Sequence, residues 1–339
     1  MVSLETVQKN NFSLKSYGPN LVAVFVGGTS GIGEATARAF VRDTKSSRVY
    51  LVGRNETQAS KIIEELRQIN PDGQISFVKC EAARLHSVDE ACKSIQEQEE
   101  KVNLLFMTAG TMTTKGRDET DEGLDKKLSL HYYSRMRFAM NLLPQLTKAA
   151  TANDSGTKGL GDNLSRVVSV LSPGDEVSLY LDDLDLKTHY SLRNCAGHAV
   201  TMNTLFLQEL AKTHPATSFI HAYPGGVKTG LMREFHPIAQ VAINALSIFA
   251  KPWMVPLEES GQRHLYASTS PKYTPQASGD GGGDVAIGSD GKNGSGAYLL
   301  SWDGSITGNK KILEAARQNE TGRLVWKHTL GIFTSICGK

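Results

Sequence analysis

The 339-residue chain is 40% hydrophobic and 21% charged, enough to bury a full core and outside the ranges of disordered, collagenous and coiled-coil chains. Its 37 lysines and arginines nearly cancel 35 aspartates and glutamates, for a net charge of +2, so no long-range field favours nucleic acid or an anionic membrane as partner. Cys80, Cys92, Cys195 and Cys337 show no C-x-x-C spacing and predict free thiols in a reducing compartment; with no secretory pattern in residues 1–20 and no apolar run of the ~20 residues that span a membrane, a cytoplasmic location is expected.

Residues 1–20 are polar and read as an N-terminal extension. From residue 21, short β-branched runs alternate with longer amphipathic stretches, which predicts an α/β fold with a doubly wound parallel sheet. Strands are expected at 21–26, 48–52, 74–79, 102–107, 166–171 and 218–221, and helices at 32–42, 57–70, 87–100 and 190–213. The first strand, LVAVFV, has the continuous apolar character of a strand buried on both faces. A polar stretch at 151–163 predicts a surface loop. Residues 21–270 are expected to form one dinucleotide-binding catalytic domain. Within it, the mostly apolar segment 231–256 predicts a lid or wall over the substrate cleft, with plain core or a membrane-surface contact as alternatives. Residues 271–309 carry ten of the 32 glycines and read as an irregular excursion broken by an edge strand at 297–301; a helix at 310–321 follows.

The first strand runs through Gly27-Gly28-Thr29-Ser30-Gly31-Ile32-Gly33 directly into a helix. Bare backbone N–H groups and the positive end of the helix dipole then face the place where a pyrophosphate can sit. Glycine suits such a turn because a Cβ would hold the backbone off the ligand. About 20 residues further on, after the second strand, where a side chain reaches the adenosine ribose, stands Arg54. Its guanidinium fork matches a 2′-phosphate and cannot accept a hydrogen bond from a 2′-hydroxyl, so NADP(H) is the expected cofactor. Ser30 and Asn55 are candidate helpers.

Further landmarks follow in order: Ala109-Gly110, Ser172, Tyr190 at the head of a helix, and Pro224-Gly225-Gly226-Val227-Lys228-Thr229. Across residues 21–270 this set resembles the short-chain dehydrogenase/reductase family, with its T-G-x-x-x-G-x-G, N-N-A-G, Y-x-x-x-K and P-G-x-V-x-T motifs. Val26 replaces the threonine, and Met107 and Thr108 replace the two asparagines. The resemblance implies a Rossmann-type fold and cofactor contacts from Gly27, Thr29, Ser30, Gly31, Ile32, Gly33, Glu81, Ala109, Gly110, Asn194, Pro224, Gly225, Val227 and Thr229, the last on the nicotinamide carboxamide. It also implies catalysis by Ser172, aimed at a carbonyl oxygen, and Tyr190, its proton donor. The GGTSGIG start and the glycine-rich C-terminal part are most similar to fungal reductases of natural-product pathways.

Asn194 stands where the family has its lysine, and His131 where it has a relay asparagine. Asparagine can bond a ribose but brings no charge to lower a tyrosine pKa from about 10, so Tyr190 is expected to stay neutral. A neutral phenol suits reduction and serves alcohol oxidation poorly. His131 is expected either to be a hydrogen-bonded structural residue or to shuttle the proton itself. His189 and Arg193 flank Tyr190 on other helix faces and are weaker substitutes. Asp182, Asp183 and Asp185 read as a solvated loop. No H-E-x-x-H or G-x-S-x-G occurs, so neither a metal site nor a serine hydrolase is expected. The sequence thus predicts NADPH-dependent reduction of a ketone or aldehyde on a fairly apolar small molecule in secondary metabolism. A non-redox isomerase, cyclase or dehydratase on the same scaffold, and a silent dinucleotide-binding protein, are the alternatives. A homo-oligomer through the helices at 122–145 and 190–213 is compatible with the family, unless the C-terminal part covers that face.

Overall fold

A computed structural model describes residues 1–151, 163–232, 235, 254–278 and 284–338. Its first strand is β1, Val22–Val26, buried along its whole length. Alternate side chains of this strand serve two separate cores: Val22, Val24 and Val26 pack into one layer, Ala23 and Phe25 into the other. A strand that must be apolar on both faces therefore has helices on both sides, the condition for a parallel sheet.

The chain alternates as expected. After β1 come α2 (Gly31–Asp43), β2 (Arg48–Gly53), α3 (Glu56–Ile69), β3 (Gln74–Lys79), α4 (Leu85–Gln96) and β4 (Leu104–Met107). A one-turn α5 (Lys126–Leu128) leads through a π-helical segment, Ser129–Tyr133, into α6 (Ser134–Thr151). Then follow β5 (Arg166–Val170), α7 (Leu192–Thr213) and β6 (Ser218–Ala222). The strands pair in the order β3-β2-β1-β4-β5-β6-β7, every pair parallel. β7 is Ala297–Leu300, so the edge strand expected inside the glycine-rich stretch completes the sheet beside β6. The order reverses between β1 and β4, which opens a crevice beyond the carboxyl ends of these two strands.

Three helices lie where the sequence predicts none. α1 (Leu4–Ser13) occupies the polar extension, capped by Ser3 Oγ accepting from the Thr6 amide. It packs on α8 (Leu257–Thr269), where Asn11 Nδ2 donates to the Gln262 carbonyl at 2.9 Å. The expected helix at 310–321 is α9 (Lys310–Gln318), and α10 (Thr321–Cys337) follows it and packs on α7. The expected helix at 190–213 begins only at Leu192, because Ser191 is its cap and accepts from the Asn194 amide. Most of the expected surface loop at 151–163 and of the lid at 231–256 lies outside the described residues.

Candidate active site

The turn after β1 explains its own glycines. Gly27 has φ +87°, and a Cβ there would stand 2.8 Å from the Ala109 amide nitrogen. On Gly33 a Cβ would fall 2.3 Å from the Gly27 carbonyl oxygen, so the first turn of α2 presses against the end of β1. Gly31, at φ +58°, opens the helix. Ser30, its N-cap residue, makes no side-chain capping bond, which leaves the amides of the first helical turn to a ligand or water.

That turn borders a cleft of about 480 Å³. At one end stand Arg54, Asn55, Cys80, Glu81 and Ala82; Gly27, Thr29, Ser30, Gly31 and Ile32 form the middle. At the other end are Thr108 to Thr111, Leu130, His131, Arg135, Val170, Leu171, Pro224 and Thr229 to Leu231. The Arg54 guanidinium lies 3.6 Å from the Glu81 carboxylate, and both side chains are about half exposed. Asn55 caps α3 by accepting from the Gln58 amide at 3.0 Å.

His131 sits in the π-helical segment, buried, with Nε2 accepting from the Thr111 amide at 3.1 Å. An amide N–H can only donate, so Nε2 is the bare nitrogen and a neutral ring carries its proton on Nδ1. Burial, then the charges of Arg135 and Lys127, push His131 down to about 3. Arg135, one turn along, is wholly buried. Its Nη1 donates to Ser169 Oγ (2.9 Å) and the Val170 carbonyl (2.7 Å), its Nη2 to the Ala109 carbonyl (2.8 Å), and its Nε to the Leu130 carbonyl (3.2 Å). It thereby ties the carboxyl end of β5 to the loop after β4. Burial lowers Arg135 to about 9, and the group remains a cation at neutral pH.

Ser172, Tyr190 and Asn194 are not brought to the cleft wall, nor are Gly33, Gly225 and Val227. Ser172 hydrogen-bonds the Asp175 carboxylate. Tyr190 Oη is buried without a hydrogen-bond partner; burial, with Cys195 and Asp125 nearby, pushes the phenol well above its ordinary value. Asn194 Nδ2 donates to the His189 carbonyl at 2.7 Å, closing the turn that precedes α7. Gly225, at φ +74°, packs against Trp302. Asp183, expected in a solvated loop, is buried and accepts from the amides of Lys187, Thr188 and His189. Sequence reasoning missed Arg135 and Thr111. The available signal was Arg135 four residues after His131, hence on the same helix face, in the run LSLHYYSRMRFAM, whose two arginines fall on a largely core-facing helix where cations are seldom buried without a partner.

A parallel sheet with this strand order, a glycine turn pressed against a helix and a cleft over the reversal point define a Rossmann-type α/β protein. The chain belongs to the short-chain dehydrogenase/reductase family. The family model for short chain dehydrogenase matches residues 21–156. The chain is 43% identical over 337 residues to "Oxidoreductase AN1596" of Emericella nidulans, covering 97% of both chains. It is 37% identical to "Oxidoreductase andH" of Emericella variicolor, covering 100% of this chain and 98% of the relative. Among solved structures, an NADPH-bound carbonyl reductase from chicken fatty liver shares the fold with a TM-score of 0.55 at 17% identity, over 86% of this chain and 99% of the other.

Proposed function

We propose that the protein is an NADPH-dependent carbonyl reductase acting on a fairly apolar small molecule of fungal secondary metabolism. The observation that carries this reading is the single cleft running from Arg54, across the amino end of α2, to His131. Its parts fit a nicotinamide dinucleotide. Arg54 would hold a 2′-phosphate, exchanging its loose contact with Glu81 for a bidentate one. The free amides around Ser30 and Gly31 would hold the pyrophosphate. Ala109, Gly110, Pro224 and Thr229 would enclose the nicotinamide end. When bound, the cofactor supplies the hydride to the carbonyl carbon, and the alkoxide oxygen takes a proton that comes ultimately from solvent.

We assign to His131, which lines the same end of the cleft, the contact with that oxygen. Its ring is neutral at physiological pH and carries its proton on Nδ1, so it acts as a hydrogen-bond donor toward the developing charge. Tyr190 is likewise a neutral phenol, and neither group is a base at neutral pH, which favours reduction over alcohol oxidation. The rim supports an apolar substrate: Met112 and Leu231 are exposed, and the Met112 amide donates to the Leu231 carbonyl at 3.0 Å. The test of cofactor choice is Arg54→Ala. NADPH affinity is expected to fall by about tenfold or more while NADH affinity holds; equal losses for both would overturn the assignment.

One observation favours a second reading, a non-redox isomerase, cyclase or dehydratase. Ser172, Tyr190 and Asn194 all stand outside the cleft lining. Product formed from a pathway substrate without consumption of NADPH would establish that reading.

A further inference from the structure

The far end of the cleft carries an unbalanced charge. Among the described residues that line it from Ala109 to Leu231, Arg135 is the only one charged at neutral pH, and no aspartate or glutamate accompanies it. Among the described residues no carboxylate hydrogen-bonds or ion-pairs with its guanidinium: its acceptors are three main-chain carbonyls and the Ser169 hydroxyl. Four bonds use four of the five N–H groups a guanidinium offers. The hydrogen bonds satisfy the donors without neutralising the cation. His131 and His221 both feel this charge and are held neutral. Glu81 stands at the opposite end of the cleft, beside Arg54.

This inference rests on the reading that the cleft takes a nicotinamide dinucleotide with its phosphates over α2. That placement brings the nicotinamide to the Arg135 end, because the adenine end is fixed by Arg54. An oxidised nicotinamide is a cation and a reduced one is neutral. We propose that Arg135 is a cofactor-state selector: its buried, unpaired guanidinium disfavours the oxidised dinucleotide and leaves the reduced one untouched, so the protein loads NADPH and expels NADP⁺.

Like unit charges about 8 Å apart at an effective dielectric of ~20 change an equilibrium constant by roughly 30-fold. The experiment is a set of calorimetric titrations of the full chain with NADPH, NADP⁺ and adenosine 2′,5′-bisphosphate, which has no nicotinamide. The wild-type protein is expected to bind NADPH roughly 30-fold more tightly than NADP⁺. Arg135→Lys retains most of that ratio. Arg135→Met brings it to within about threefold, mainly by tightening NADP⁺, and leaves the bisphosphate unchanged. A purely structural arginine would instead weaken all three ligands together on removal, and that result overturns the proposal. Because Arg135→Met removes four hydrogen bonds that also support the fold, a second measurement uses wild-type protein alone. Tetrahydro-NADP, whose ring is neutral, must bind like NADPH and well above NADP⁺; affinity equal to that of NADP⁺ overturns the proposal. If neither dinucleotide nor the bisphosphate binds folded protein, the reading of the cleft fails first and the selector falls with it. Binding with a wild-type ratio near one removes the selector alone.

Discussion

At the scale of single residues, the glycine turn is where sequence and structure agree most closely, because its requirement is steric. Gly33→Ala would set a methyl group 2.3 Å from the Gly27 carbonyl oxygen, and that neighbour is backbone. The turn must open, so we expect a loss of roughly 1–3 kcal/mol in stability and of dinucleotide affinity, read from thermal unfolding and titration; an unchanged melting temperature would contradict the packing described. Arg54 was legible for a related reason, since its place after β2 follows from the spacing of the glycine turn and the next strand. Arg135 and the state of His131 were not legible. The proton-shuttle role open to His131 in the sequence assumes a pKa near 6.5, but burial and Arg135 hold the ring neutral far below that value. Both facts depend on which groups the fold stacks behind a side chain, and no local spacing encodes that. The same holds for Tyr190, expected at the head of the helix but found before the Ser191 cap, with its hydroxyl buried near Asp125 and Cys195.

At the scale of elements, strands and helices whose apolar residues repeat regularly were read to within a few residues, because burial on two faces or on one stripe leaves a clear pattern. The helices that were missed hide theirs. α8 is buried all round from Ser260 to Thr269, and polar side chains at Ser260, Gln262, Arg263, His264, Ser268 and Thr269 outnumber the apolar Leu265, Tyr266 and Ala267, so no apolar stripe marks it in the sequence. Its Gly261 marks a close crossing: a Cβ there would stand 2.7 Å from the Ala35 backbone of α2. α1 buries only Val7 and Asn11. α10 is apolar enough to be seen, yet it follows α9 after only two residues, Asn319 and the left-handed Glu320 at φ +50°, and one helix reads as running into the other. Its packing predicts its importance. Phe333 is 1% exposed, and the Arg137 guanidinium, itself paired with Asp89, lies 5.1 Å from its ring. Trp326 stacks on Phe206 of α7 at 4.5 Å. Phe333→Ala is expected to destabilise the protein by about 3–5 kcal/mol, measured by denaturant unfolding; a loss under about 1 kcal/mol would mean α10 is not part of the core.

At the scale of the whole molecule, buried histidines couple stability to acidity, and three of the four that are buried among the described residues are shifted furthest. They lie in separate elements: His131 in the π-helical segment, His221 in β6 and His264 in α8. Burial lowers His131 and His221 to about 3, each with a further push from Arg135, and His264 to about 4. The sign follows from which state holds the protons. Between the unfolded value near 6.5 and the folded values, the unfolded chain binds a proton on each ring and the native protein does not, so stability rises with pH. At neutral pH the full contribution of these groups is present; it is lost progressively as pH falls below about 6.5 toward 4. Three rings charging only on unfolding give a slope of roughly 4 kcal/mol per pH unit once the unfolded rings are fully protonated. Against a domain stability of roughly 5–15 kcal/mol, that slope is steep enough to unfold the chain between about pH 5 and pH 3. Asp183 adds to it: burial alone would raise its carboxyl, but the amides and side chains of His189 and Thr188 outweigh that and lower it, so its stabilising bonds are also lost in acid. Melting temperatures from pH 7 to pH 4 should therefore drop sharply and continuously below pH 6. Replacing His264, which lies edge-on to Phe106 at 5.8 Å, with glutamine should flatten the drop by less than about one third, because His198, His214 and His328 are also lowered and Asp183 loses its bonds in acid. A melting temperature constant from pH 7 to pH 5 would show that the buried rings take up protons without leaving the folded state.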